Sequence, residues 1–221
     1  MKTIDQFNIL PYEFNVYGED VCLYLYENQI DASCLHIRQT HTFCEYYLLE
    51  YIKDILPEGH TIIDAGANFG NETIYFSKFL NYQRIFSFEP HPANFELLRM
   101  NTAKLLNVDI FDVALGDTLG YVSLQESTTD MNDIHTIPGN EIRIKPLDYY
   151  NFQNVDLMKL DVQGFEPNIL IGGIETIRRC RPYIFVEVHY NDGSEISDLL
   201  TSLDYRFVKE GFNEMHEYSP S

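Results

Sequence analysis

The sequence predicts a Rossmann-like α/β domain built on a seven-stranded, mostly parallel sheet. From residue 57 onward, apolar runs of strand length alternate with stretches of helical periodicity, the pattern of a doubly wound sheet. Thr61-Ile62-Ile63-Asp64 runs on into Ala65-Gly66-Ala67-Asn68-Phe69-Gly70, an apolar strand that ends in an acid and passes through a glycine turn into a helix. The chain closes with Arg206–Glu210 and Met215–Tyr218 around Gly211-Phe212-Asn213. A terminal hairpin of this kind places one antiparallel strand in an otherwise parallel sheet.

Taken in order, residues 14 to 30 alternate loosely about Gly18-Glu19-Asp20, which predicts a hairpin. Thr42 to Leu56 carries apolar residues at helical spacing and stops at Pro57-Glu58-Gly59. Strand Thr61–Asp64 then leads to helix Asn71–Phe79, and strand Ile85–Glu89 to helix Ala93–Leu106. Strand Asp109–Ala114 precedes a less regular stretch, with a hairpin near Gly120–Leu124 and an extended piece at Glu141–Lys145. Strand Val155–Asp161 enters helix Pro167–Arg178, where proline at the helix start loses no hydrogen bond. Strand Tyr183–His189 is followed by helix Ser194–Leu203. The division expected is an N-terminal addition of residues 1–56 that covers part of the substrate crevice, and a catalytic domain of residues 57–221.

Charge narrows the partners. The 221 residues carry 15 basic and 34 acidic side chains, a net charge of −19. Affinity for nucleic acid rests on Lys and Arg neutralising phosphates, so no nucleic-acid partner is expected. The densest basic cluster, Arg178-Arg179-Cys180-Arg181, falls late in a predicted helix, where cations complement the helix dipole. Cys22, Cys34, Cys44 and Cys180 are scattered, with no zinc spacing. The first residues have no apolar signal core, and no run reaches the length of a membrane span. A cytoplasmic protein with no membrane partner is expected.

In folds of this class ligands bind at the carboxyl ends of the strands. Glu89, about 20 residues beyond the glycine turn, sits where an acid takes both hydroxyls of a ribose. Ala67 stands where a dinucleotide fingerprint has its middle glycine, and Asp64 precedes the turn. Both features oppose a pyrophosphate, which needs bare backbone there and disfavours carboxylates. They suit S-adenosylmethionine, whose ammonium and sulfonium are cationic. Gly66 would let backbone approach the methionine moiety, with Asn68 in the same turn, and Gly70 would let helix and strand pack closely. Asp64 would attract the ammonium. Asp112 and Val113 end the third strand and are placed to meet the adenine.

Asp161 ends an apolar strand beside the cofactor strand, placed to orient the methionine end of the cofactor or the substrate hydroxyl. Glu187 and His189 are two apart on the next strand and so share one face. Polar groups on a buried strand are costly unless paired or functional. His189 is the candidate general base by its near-neutral pKa, Asp161 is second, and Glu187 would orient the imidazole. Nothing in their spacing requires a metal, and none is assigned.

The segments Asp64-Ala65-Gly66-Ala67-Asn68-Phe69-Gly70, Phe88-Glu89-Pro90, Ala114-Leu115-Gly116-Asp117, Met158-Lys159-Leu160-Asp161-Val162-Gln163-Gly164-Phe165-Glu166 and Pro182-Tyr183-Ile184-Phe185-Val186-Glu187-Val188-His189 together resemble the FkbM-type S-adenosylmethionine-dependent methyltransferases. They occur in that family's order across roughly residues 45 to 190, and Glu45 with the helix after it resembles the family's lead-in. The resemblance implies a class I methyltransferase fold and O-methylation of a small molecule or sugar, with S-adenosylmethionine as donor. The family usually has Asp-Val-Glu-Gly after the fourth strand. Here Gln163 replaces the glutamate and removes a charge near the expected reaction centre. Two other readings stand beside this one: a cofactor-binding module of the same fold without catalysis, and an NAD-dependent oxidoreductase.

Overall fold

The computed structural model describes residues 8–27, 32–126, 134–188, 193–211 and 214–221. Strands β1 (Ile9–Val16) and β2 (Glu19–Tyr26) form an antiparallel hairpin. Its two turn residues, Tyr17 and Gly18, both have positive φ, 53° and 86°, the backbone that matches strand twist in a two-residue hairpin. Helix α1 (Ala32–Thr40) follows, then α2 (Tyr46–Ile55). Helix α1 was not expected from the sequence. It buries only Cys34 and Ile37, too weak an apolar stripe to stand out as a pattern. Helix α2 begins later than expected because Glu45 is left-handed, with φ 53°.

Next come β3 (Glu58–Ala65), α3 (Asn71–Phe79), β4 (Asn81–Phe88), α4 (Pro92–Thr102) and β5 (Val108–Phe111). Strands β6 (Ala114–Gly116), β7 (Gly120–Glu126), β8 (Ile134–Pro138) and β9 (Ile142–Pro146) follow, then β10 (Val155–Leu160), α5 (Glu166–Gly172), α6 (Ile174–Cys180) and β11 (Tyr183–Glu187). Helix α7 (Gly193–Ser202) and strands β12 (Tyr205–Glu210) and β13 (Met215–Pro220) complete the chain. The main sheet has seven strands in the order β12-β13-β11-β10-β3-β4-β5. Strand β13 is antiparallel to both neighbours, while β11, β10, β3, β4 and β5 run parallel. This is the mostly parallel sheet with one antiparallel hairpin strand that the sequence predicted.

Two expectations need correction. The third strand does not run through to Ala114: β5 ends at Phe111, and Ala114 opens β6 in a second, four-stranded sheet of order β6-β9-β7-β8. The long helix expected over Pro167–Arg178 is broken into α5 and α6 at Gly172-Gly173. The backbone of β6 runs against that break, and a Cβ added at Gly172 would sit 1.8 Å from the Gly116 carbonyl oxygen. Only a residue without a side chain fits there.

Alternation along the strands sorts the core into two layers. Ile62, Ile85, Leu157 and Phe185 pack with α2, α3, α4 and the β1–β2 hairpin, through Leu49, Ile52, Phe76, Leu97 and Leu23. Ile63, Phe88, Met158 and Val186 pack with α5, α6 and α7, through Leu170, Ile177 and Ile196. The N-terminal hairpin and helices therefore share one apolar cluster with the sheet. Asp64, Ser87 and Lys159 lie side by side across β3, β4 and β10, on the face turned to α2 and α3.

Candidate active site

A cavity of about 260 Å³ opens where β3, β4, β10 and β11 end. The sheet order puts β4 on one side of β3 and β10 and β11 on the other, so Glu89 and Glu187 enter the lining from opposite flanks of the glycine turn. Ser33, Cys44 and Glu45 of the N-terminal segment line it as well.

The turn is built by backbone crowding. Gly66 has φ +81°, and a Cβ there would lie 1.8 Å from the carbonyl oxygen of Asp161. The Gly66 and Ala67 N–H groups both donate to the Phe88 carbonyl at 3.0 Å, tying the turn to the tip of β4. Gly70 has φ +95° and faces Leu98 of α4, whose Cδ1 would be 2.9 Å from an added Cβ. Its close packing is thus against a helix, not against the strand. Asn68 is left-handed with φ 50°, and its N–H donates to Glu89 Oε2 at 2.8 Å. The His91 N–H donates to Glu89 Oε1 at 2.7 Å. Glu89 is thereby held rigidly in the lining, and burial pushes its pKa up to about 7 against the pull of those two donors.

Lys159 had no role in the sequence reading, yet it sits at the centre of the site. Its side chain is 2% exposed. Its Nζ lies 3.0 Å from Asp161 Oδ2 and 3.8 Å from Glu72 Oε2. Burial opposes a charged ammonium, but Asp161, Glu72 and Asp64 outweigh it and hold Lys159 well above its ordinary pKa. In turn, burial would raise Asp161, while the Lys159 charge and hydrogen bond bring it below the usual carboxylate range. A lysine inside an apolar strand was itself a signal, since lysine is almost never buried unpaired.

Glu187 is the counterpart. Burial and the negative Asp161 beside it push its pKa to about 9, so near neutral pH it keeps its proton and donates it to the Asp161 carboxylate. The Gln163 amide donates to Glu187 Oε2 at 3.2 Å and lies 3.5 Å from Asp161 Oδ1. The replacement of the expected glutamate by Gln163 thus turns a third acid into a donor that ties the other two together. Gln163 is left-handed, φ 59°. With Glu45 and Asn68 it makes three left-handed non-glycine residues in the lining. Such strained backbone tends to collect at functional sites.

Asp64 is fully buried and lies outside the cavity lining. Its Oδ2 accepts the Thr73 hydroxyl at 2.5 Å, and Thr73 Oγ1 lies 2.9 Å from Ser87 Oγ. Its Oδ1 has no hydrogen-bond partner among the described residues. Burial lifts its pKa to about 6, with Lys159 pulling the other way. Val113 lines the cavity, whereas Asp112 is exposed and paired with Arg143 at 3.0 Å. His189 lies outside the described residues. Among those that are described, no three His, Cys, Asp or Glu side chains converge as metal ligands would.

The sequence profile of the methyltransferase FkbM domain matches residues 64–207, most of the chain and all of the strand tips that build this cavity. The chain belongs to the FkbM methyltransferase family. It is similar to the 2-O-methyltransferase NoeI of Sinorhizobium fredii, 26% identical over 59% of this chain and 63% of that protein. It is also similar to the hexuronic acid methyltransferase AglP of Haloferax volcanii, 25% identical over 71% of this chain and 68% of that one. The FkbM methyltransferase structure from Methylobacillus flagellatus superposes with a TM-score of 0.53 at 16% identity, covering 72% of this chain and 43% of that chain. The FkbM chain thus spans less than two thirds of NoeI and less than half of the superposed structure. No helix among the described residues is long and apolar enough to cross a membrane.

Proposed function

We propose that this FkbM domain transfers a methyl group from S-adenosylmethionine to a hydroxyl of a small molecule or sugar. The observation that carries the reading is the cavity itself, with Glu89 on one flank of the Gly66 turn and the Asp161–Glu187 pair on the other. The residues fit the donor. Each Glu89 oxygen accepts one backbone N–H and keeps a lone pair for a ribose hydroxyl. Val113 offers an apolar wall for a base. The carboxylates around Lys159 suit a cationic ligand, and Asp64, buried behind the lining, would act on an ammonium through its charge and not by contact. Bound S-adenosylmethionine would supply a methyl group activated by its sulfonium.

The chain's own contribution is alignment, exclusion of water and acceptance of a proton. Asp161, kept ionised by Lys159, would accept the hydrogen bond of the acceptor hydroxyl. Its proton would pass to Asp161, or to His189, the base proposed from the sequence. Residues 1–56 would close one side of the crevice through Ser33, Cys44 and Glu45. One relative, named for 2-O-methylation, supports a hydroxyl acceptor, and the other, named for a hexuronic acid, supports a sugar.

Calorimetry with S-adenosylhomocysteine, followed by product assays on a panel of hydroxyl compounds, tests the proposal. Uptake of the ligand with methylation of at least one acceptor is expected. Absence of uptake overturns the reading, and uptake without turnover on any acceptor favours a binding module.

A further inference from the structure

We infer that the acceptor is an uncharged or cationic polyol, such as a neutral or amino sugar, and that the site discriminates against acidic sugars. This rests on the methyl-transfer reading above and concerns its substrate class.

The charge of the lining is one-sided. Glu45, Glu72 and Asp161 contribute carboxylates, Glu187 adds an acid that keeps its proton near neutral pH, Glu89 lies on the donor's side, and Lys159 is the only lysine or arginine among the described lining residues. Lys159 is not available to a substrate carboxylate, because it is buried and already bracketed by Asp161 and Glu72. Three cations outside the lining are engaged elsewhere. Arg143 pairs with Asp112, Arg38 donates to the Tyr26 carbonyl, and Lys145 sits over the Tyr149 ring at 4.2 Å. Residues 28–31, 127–133, 189–192 and 212–213 contain no lysine or arginine but do contain Asp31, Asp130, Asp133 and Asp192, and residues 1–7 add Lys2 with Asp5.

What the lining does offer matches a sugar ring without a carboxylate. Asp161, held in place by the Gln163 amide, would accept from a sugar hydroxyl. Leu124, Val162 and Phe165 provide apolar surface for C–H faces. An acidic ring would face Glu45, Glu72 and Asp161 with the single lining cation, Lys159, already shared between two of them, and this excess of like charge opposes its binding.

The test compares matched methyl glycosides of glucose, glucosamine and glucuronic acid. Initial rates are read as S-adenosylhomocysteine formed, and binding is read by NMR on protein saturated with S-adenosylhomocysteine. The neutral or amino glycoside is expected to exceed the uronide by at least about tenfold in kcat/KM or in affinity, with the gap narrowing as salt is raised. A uronide handled as well as or better than its neutral counterpart overturns the inference, as does the absence of binding and turnover with all three. Uptake of S-adenosylhomocysteine alone is measured in parallel. Its failure removes the methyl-transfer reading itself, whereas uptake together with a uronide preference removes only the acceptor class.

Discussion

The ammonium of Lys159 lies 3.0 Å from the carboxylate of Asp161, two residues further along the chain and on the same face. Glu72 approaches the same ammonium at 3.8 Å, so one buried cation neutralises acids from the sheet and from α3. Lys159→Met would leave those acids uncompensated, and removing one partner of a buried pair costs about 3–5 kcal/mol. The expected result is a lowered denaturation midpoint and an upward shift of the Asp161 pKa. A variant as stable as the parent in urea would show that the pair contributes nothing.

Glu89 is the next test. Glu89→Ala should weaken S-adenosylhomocysteine binding by about 1–3 kcal/mol, the range for hydrogen bonds to a charged group. Burial raises the Glu89 pKa to about 7, and the ionised form is the better acceptor of two hydroxyls. Affinity should therefore rise as pH increases through 7, and Glu89→Gln should flatten that dependence. Calorimetry across pH 5.5–8.5 decides it; equal slopes in parent and variant would count against the ribose assignment.

Gly66→Ala should destabilise the whole protein and not only impair ligand binding. Its φ of +81° disfavours any L side chain, and the new Cβ would lie 1.8 Å from the Asp161 carbonyl oxygen. Relief requires moving β3 away from the end of β10, so the loss should exceed about 1 kcal/mol. Thermal unfolding without ligand is the measurement. An unchanged midpoint would mean that the turn relaxes freely.

Glu187 sets a stability profile with a definite sign. Its folded pKa, about 9, stands above the ordinary glutamate value of 4.5. Its contribution is therefore fully present below about pH 4.5 and is lost as pH climbs through 9. Denaturation midpoints should fall between pH 6 and pH 9, and Glu187→Gln, which keeps a donor toward Asp161, should reduce that fall. A steeper decline in the variant would contradict the shared proton.

Much of this architecture was legible because each strand pairs an apolar run with a turn signal. Helix α3 was placed residue for residue, from Asn71 to Phe79, since Gly70 starts it and the periodicity is clear. The second sheet was not, because β6 is three residues long and its partner β9 lies far along the chain. The helix break at Gly172 depends on Gly116 of another element, a contact that no local pattern encodes. At the site, the acids at strand ends stood out as buried polar residues. Lys159 carries a weaker signal, a lone lysine in an apolar strand two residues before Asp161 and so on the same face. Glu45 and Glu72 reach the cavity only through the packing of α2 and α3 against the sheet, which periodicity does not reveal. The outward placement of Asp112 follows from the chain leaving one sheet for another at that point.

Leu23, Leu25, Phe43 and Ile52 interlock with Ile62, Ile85 and Phe185 in a single apolar cluster. A shortened chain starting at residue 57 would bare that oily surface to water and should precipitate or fail to mature. Heating the intact chain should accordingly give one cooperative melt, in which the front hairpin and the sheet are lost together.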